Sequence, residues 1–148
     1  MKQDFFKSLD VESSNILIFN HALDDIYRYF WSNKNKIDYF TFTKDICEEN
    51  SLWIEAIKKK EDYLSKLKES FRKIIIKLKC KNFIIIRCYP SSYEVYHKQS
   101  FKIQFHRNLT LEIVKFLSEN GFKILLNDSK KIDSRFKLSG SFFVLQKI

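Results

Sequence analysis

The sequence predicts an α+β fold: N-terminal helices, then an αββαββ unit whose antiparallel sheet has helices packed on one face. Three observations predict it. Apolar residues recur at helical steps over residues 51–80. Short apolar or alternating runs, typical of strands, follow this stretch. The length of 148 residues and the 45% hydrophobic content fit one domain spanning 1–148. The same order of elements allows a ferredoxin-like plait variant with its first strand moved to the end.

Residues 1–50 form the helical N-terminal segment of this prediction. One helical face is indicated by apolar residues at steps of three and four, namely Ile16, Phe19, Leu23, Ile26 and Phe30. A polar cluster at 32–35 ends this helix. Residues 37–43 fit either a short strand or an extended link, and Thr43 caps a second, short helix.

Residues 51–148 form the basic α+β unit, and a long helix over 51–80 opens it. Its face alternates steps of four and three at Trp53, Ile57, Lys60, Leu64, Leu67, Phe71, Ile74 and Leu78. Lys60 interrupts the apolar series once, which favours packing on a domain over a coiled coil.

The remaining elements follow in order along the basic unit. Residues 83–89 predict a buried strand that ends at Pro90. Alternating residues predict strand structure over 93–97 and 100–106. Asn108 caps a helix over 109–119, and Gly121 closes it because glycine tolerates the left-handed cap. The last strands are predicted over 122–126 and 142–146, with a turn at 127–131.

Positive charge is concentrated in the second half of the chain. The 22 lysines and 5 arginines, and the excess of isoleucine, phenylalanine and asparagine, indicate an AT-rich genome, so part of the net charge of +9 reflects coding habit. Coding bias acts on both halves alike, however. Residues 1–71 carry 11 basic and 13 acidic side chains, whereas residues 72–148 carry 16 basic and 5 acidic ones. This asymmetry indicates an acidic partner for the second half.

The leading hypothesis is therefore a non-enzymatic basic accessory subunit that binds nucleic acid within a larger assembly such as a ribosome. RNA is favoured over DNA, and the N-terminal helices would contact a protein neighbour. The candidate nucleic-acid-binding residues are Lys66, Arg72, Lys73, Lys77, Lys79, Lys81, Arg87, Lys98, Lys102, Arg107, Lys130, Lys131, Arg135 and Lys137. The alternative is a protein-binding module of the inhibitor or immunity type, whose basic face docks on an acidic protein. A solvated basic surface without a specific partner is the third interpretation.

The sequence argues against several other chemistries. Phosphate-cradling loops need glycine, and only Gly121 and Gly140 are present, so no nucleotide cofactor is expected. Cys80, Cys88, His97 and His106 do not have the spacing of a zinc site, and no metal is expected. A nucleophilic site built on Cys88 and a histidine remains a minor alternative. No apolar run is long enough for a membrane span or a signal peptide, and a cytoplasmic protein, or a nuclear one in a eukaryote, is expected rather than a secreted one.

One weak resemblance concerns residues 52–126. The predicted order of long helix, strand, strand, helix and strand is similar to that of small eukaryotic translation initiation factors that sit on the decoding site of the ribosome. The stretch from Ile103 to Leu117, with Gly121, resembles the strand–helix–glycine run of those factors. The basic hairpin that precedes the long helix in that family is missing here, so the resemblance implies no site residues.

Overall fold

The computed structural model has an α+β fold, as predicted, and describes residues 15–20, 22–23, 46–88, 96–128, 131–133, 138–139 and 141–148. The helices are α1 (Ile46–Lys58), α2 (Lys60–Lys77) and α3 (Ser100–Glu119). The strands are β1 (Ile16–Asn20), β2 (Phe83–Cys88), β3 (Phe122–Asp128), β4 (Lys131–Asp133), β5 (Leu138–Ser139) and β6 (Ser141–Lys147).

The main sheet is mixed, which corrects the predicted antiparallel sheet. Its four strands lie in the order β1-β2-β6-β3, and β4 pairs with β5 in a separate two-stranded sheet. β1 is parallel to β2, whereas β6 is antiparallel to both β2 and β3. The chain passes through α1 and α2 between β1 and β2, as a parallel pair requires a crossover. The ferredoxin-like plait is not confirmed.

The N-terminal segment differs from its prediction at β1. Residues 16–20 form a strand rather than the start of a helix, and Leu17 and Phe19 are buried while Ile16 and Ile18 are exposed. Pairing with β2 explains the difference, since a continuous apolar run can occupy either a helix or a strand and tertiary contacts decide. β1 belongs to the same sheet as β2, β6 and β3. Ile26 and Phe30 lie outside the described residues.

The stretch over 100–106 is the second correction. These residues are not a strand but the first two turns of α3, which continues to Glu119 without a cap at Asn108. The residues that α3 buries are Lys102, Ile103, Phe105, His106, Leu109, Thr110, Ile113, Val114, Phe116 and Leu117. Their spacing is helical, but the polar members interrupt the apolar series. The strand–helix order on which the resemblance to initiation factors rested is therefore absent over these residues.

The predicted long helix is divided into two. Lys59 separates α1 from α2 and has non-helical backbone angles (φ −101°, ψ 20°). The break adjoins Lys60, the residue that interrupted the apolar series in the sequence. The three predictions for β2, β3 and β6 are confirmed over their described residues, with ends shifted by one or two residues. Gly121 has φ +84°, which confirms its predicted left-handed conformation.

One face of the main sheet carries the hydrophobic core. The buried strand residues on this covered face include Leu17, Phe19, Ile84, Ile86, Phe143 and Leu145. Helix α2 packs on this face, with the ring of Phe71 5.1 Å from that of Phe19. Ile113 and Leu117 of α3 belong to the same cluster. Burial of these side chains supplies most of the driving force for folding, at about 1.5–3 kcal/mol for each large residue.

Helices α2 and α3 run side by side in the same direction. Lys68 Nζ lies 3.3 Å from Glu112 Oε2, and one turn further on the guanidinium of Arg72 lies 5.3 Å from the centre of the Phe116 ring. Both contacts join residues 44 positions apart. Both helices therefore end near the same ends of the strands, where β2 and β3 begin and β6 finishes.

Candidate nucleic-acid interface

The outer side of α2 carries the best-placed group of predicted cations. Lys66, Lys73 and Lys77 are exposed, and at about 100° per residue they lie within about 40° of one another around the helix axis. The buried, apolar side of the helix is centred about 100° away around the axis, with Leu67, Phe71 and Ile74 among its residues. Because the core fixes the rotation of the helix, the three lysines are held in one row that faces solvent.

Two further exposed lysines follow the helix in the chain. Lys79 and Lys81 lie in the connection from α2 to β2. The five residues Lys66, Lys73, Lys77, Lys79 and Lys81 are called the cationic ridge. Along the helical part, the distance from Lys66 to Lys77 is about 16 Å at 1.5 Å per residue. A ridge of this length can contact several successive phosphates of a nucleic-acid strand.

All residues of the ridge except Lys66 lie in the longest stretch of the chain without an acidic residue. Residues 70–93 contain no aspartate or glutamate, and they contain six basic residues. Lys73 forms an ion pair with Glu69 at 3.4 Å, one helical turn away, and both side chains are exposed. An exposed pair of this kind contributes about 0.3–0.5 kcal/mol, so a phosphate can replace Glu69 at little cost.

The end of the ridge is fixed to the sheet. The backbone N–H of Lys81 donates to the carbonyl of Lys147 at 2.9 Å. Lys147 Nζ in turn donates to the carbonyl oxygens of Ile75 and Leu78, both at 2.6 Å. These carbonyls belong to the last turn of α2 and its cap, where a cation is favoured by the helix dipole. Lys147, which the sequence argument did not select, therefore caps α2 and positions the residues that follow it.

Other predicted cations are accessible but lie away from the ridge. Arg72 is exposed and points toward α3, where it covers Phe116. Arg87 is exposed near the end of β2, and Lys98 is exposed in the turn before α3. Arg107 is half-buried on α3. The structure does not bring these four residues into the row formed by the ridge.

Lys102 differs from all the other described candidates because it is buried. Its side chain is only 6% exposed, and Nζ lies 5.1 Å from the centre of the Trp53 ring. His106, also buried, meets the same ring edge-on at 5.2 Å. Close by, Gln99 Nε2 donates to Asn50 Oδ1 at 2.8 Å, which joins α3 to α1. Lys102 therefore takes part in packing α1 against α3 and is not available to a phosphate on the surface.

The last four predicted cations lie in the chain between β3 and β6. Lys130, Arg135 and Lys137 lie outside the described residues. Lys131 begins β4, and only its backbone is described.

The cysteines and histidines do not form a common site in the described part of the chain. Cys80 precedes β2 and Cys88 ends it, so the strand separates them by about 20 Å. His97 lies beside the Tyr96 ring at 5.0 Å, whereas His106 is buried against Trp53. Among the described residues, no group of three or more potential ligands could hold a metal ion. None of the described helices is long and apolar enough to cross a membrane.

A second surface, which the sequence argument missed, lies on the sheet face opposite the helices. The register places twelve side chains of this open face in three rows across β1, β2, β6 and β3. The first row is Ile16, Phe83, Gln146 and Lys123. The central row is Ile18, Ile85, Val144 and Leu126. The third row is Asn20, Arg87, Phe142 and Asp128. The sequence contained a signal for this surface. In these strands, neighbouring residues that point to opposite faces are both apolar, which is typical of strands covered on both faces.

No protein-family model, no curated protein and no solved structure matches the chain. The placement of residues within this chain is therefore what bears on its function.

Proposed function

We propose that the protein is a non-enzymatic subunit that binds nucleic acid through the cationic ridge. The observation that carries the proposal is the row of Lys66, Lys73 and Lys77 on the exposed side of α2, followed in the chain by the exposed Lys79 and Lys81. A row of cations at fixed spacing favours a polyanion with regularly spaced charges. A nucleic-acid backbone is such a polyanion, and binding it releases condensed counterions.

Electrostatics gives the proposal a quantitative form. If all five lysines of the ridge contact phosphates, the logarithm of the association constant should fall with the logarithm of salt concentration with a slope of about −3.5 for a single strand and about −4.5 for a duplex. The ridge consists of lysines and contains no aromatic side chain that could stack on a base. We therefore expect it to bind the nucleic-acid backbone with little sequence preference.

The first experiment measures binding of the purified chain to fluorescent oligonucleotides by anisotropy. Single-stranded RNA, single-stranded DNA and both duplexes are compared from about 50 mM to 300 mM salt, because the electrostatic contribution is largest at low salt. We expect binding with the slopes given above and tighter binding to RNA than to DNA. The proposal is wrong if none of the four probes binds at about 50 mM salt.

A matched pair of variants locates the binding surface. The triple variant Lys66→Ala, Lys73→Ala, Lys77→Ala removes three exposed cations of the ridge without removing a buried side chain. The slope should become less steep by about 2 for a single strand. The control is the triple variant Lys58→Ala, Lys59→Ala, Lys115→Ala, which also removes three exposed lysines but none of the ridge. Equal losses in both proteins would show that binding depends on total charge and not on the ridge.

A further inference from the structure

The open face is an apolar surface without a helix on it among the described residues. Its central row contains four aliphatic side chains and no polar one, and the register joins them across all four strands. The outer members, Ile18 and Leu126, are 66% and 46% exposed. Large contiguous apolar patches are uncommon on monomeric proteins and mark interaction surfaces.

The composition of the strands supports a second covering layer. In β2, Phe83 and Ile85 point to the open face while Ile84 and Ile86 are buried under the helices. β6 repeats this arrangement, with Phe142 and Val144 on the open face. Strands that are apolar on both sides are typical of sheets covered on both faces. The helices supply one cover, and the chain shows no second one among the described residues.

The two outer rows make this face complementary to itself. A two-fold axis that runs along the central row would place the first row of one copy over the third row of the second copy. On β3, Lys123 would then face Asp128 of the second copy. On β2, the Phe83 ring would face the guanidinium of Arg87 of the second copy, an arrangement favourable for a cation and an aromatic ring. No two like charges oppose each other, and every favourable contact occurs twice.

The cationic ridge does not oppose this arrangement. Lys66, Lys73 and Lys77 of the cationic ridge lie on α2, and α2 packs on the covered face of the sheet. Stacking two open faces would therefore turn the two ridges outward, to opposite sides of the pair.

The dimensions fit a dimer of modest affinity. Four strands at about 4.8 Å spacing are about 19 Å wide, and strands of five to seven residues are about 17–24 Å long. The flat area is about 400 Å² per copy, and the projecting side chains enlarge the accessible area, so the pair approaches the roughly 1,000 Å² expected of a specific interface.

We propose that two copies of the chain associate through their open faces, with the central rows of Ile18, Ile85, Val144 and Leu126 packed against each other. The proposal concerns a surface other than the cationic ridge and does not depend on nucleic-acid binding. The dissociation constant should be on the order of 10 µM, in keeping with an interface at the small end of the range.

The test measures mass by sedimentation equilibrium from about 2 µM to 200 µM, a range that brackets the expected dissociation constant. The protein is first freed of nucleic acid with nuclease and a wash at about 0.5 M salt, where phosphate contacts are weak. The wild type should pass from monomer to dimer across this range. The double variant Ile18→Lys, Leu126→Lys should stay monomeric, since it places like charges on the symmetry axis. Ile76→Lys on α2 is the control, because Ile76 is 81% exposed and lies outside the open face.

The wild type remaining a monomer at the highest concentration would overturn the proposal, as would a double variant that still dimerises. Weakening by Ile76→Lys equal to that of the double variant would also contradict it. Circular dichroism and thermal unfolding of all three proteins verify that each is folded. The substituted side chains are already largely exposed, so we expect all three to fold.

A mixing experiment tests the geometry of the pair. Lys123→Glu places a carboxylate opposite Asp128 of the second copy, and Asp128→Lys places an ammonium opposite Lys123. Each variant alone should dimerise about tenfold more weakly, since the altered contact occurs twice. An equimolar mixture of the two variants restores opposite charges at both contacts and should dimerise more tightly than either variant alone. No gain on mixing would refute the proposed orientation.

Discussion

The two faces of the main sheet are built from the same strands and from similar side chains, yet they are covered differently. Ile84 is fully buried beneath the helices, whereas Ile18, equally apolar, is 66% exposed on the open face. Residue type therefore does not decide burial in this protein. The position of the helices decides it, and an apolar side chain on the open face remains available to a partner.

Adjacent residues of β2 give the largest test of this comparison. Ile84→Ala should lower the free energy of unfolding by about 2–5 kcal/mol, because it leaves a cavity in the core. Ile85 lies on the open face and is half-buried, so Ile85→Ala should lower the free energy of unfolding by about 1 kcal/mol or less at low protein concentration. Urea denaturation of both variants measures the difference. Similar losses for the two variants at about 1 µM protein would show that the two faces are equally covered within one chain.

The same contrast applies to cations, and Lys147 provides the next test. Its ammonium group lies on the covered side and donates to two carbonyls at the end of α2. Lys147→Met keeps the length of the side chain but leaves these carbonyls without that donor, and we expect a loss of about 1.5–3 kcal/mol. Lys115→Met, an exposed position on α3, is the control and should change stability by less than about 0.5 kcal/mol. Equal effects would mean that the cap of α2 contributes nothing beyond a surface charge.

The sequence correctly predicted the elements in which local signals agree on one structure. Residues 83–86 contain four large apolar residues in a row, and they form β2 as predicted. Gly121 has the positive φ that its place after a helix required. The pattern was ambiguous where polar residues are buried. Lys102, His106 and Thr110 point inward from α3, so the remaining apolar residues over 100–106 alternate like a strand.

The candidate site was predictable only in its charge. The count of acidic and basic residues located the cations in the second half of the chain, but it could not separate an exposed lysine such as Lys73 from the buried Lys102. That separation depends on the rotation of each helix about its axis, which the core determines. The register that joins Ile18 to Ile85 and Val144 is likewise a property of strand order, which the chain's local pattern does not specify.

Lys73 and Lys102 therefore make a direct comparison for nucleic-acid binding. Lys73→Met should weaken binding about threefold at low salt and reduce the slope with salt concentration by about 0.7 for a single strand. Lys102→Met should leave the slope unchanged, since Lys102 lies over Trp53 and is buried. Anisotropy titrations over the same salt range measure both. A slope reduced by Lys102→Met as much as by Lys73→Met would place the nucleic acid near α1 and α3 and away from the ridge.

The smallest effect on stability is expected at the surface contact between α2 and α3. Lys68 and Glu112 form an ion pair at 3.3 Å, and their side chains are 27% and 42% exposed. Glu112→Gln removes the charge and keeps the shape, so it should lower the free energy of unfolding by about 0.5 kcal/mol or less, and by less still at high salt. Urea denaturation at about 50 mM and 500 mM salt checks both statements. A loss above about 1.5 kcal/mol would mean that charge, rather than the apolar contacts of residues such as Phe71 and Ile113, holds the helices on the sheet.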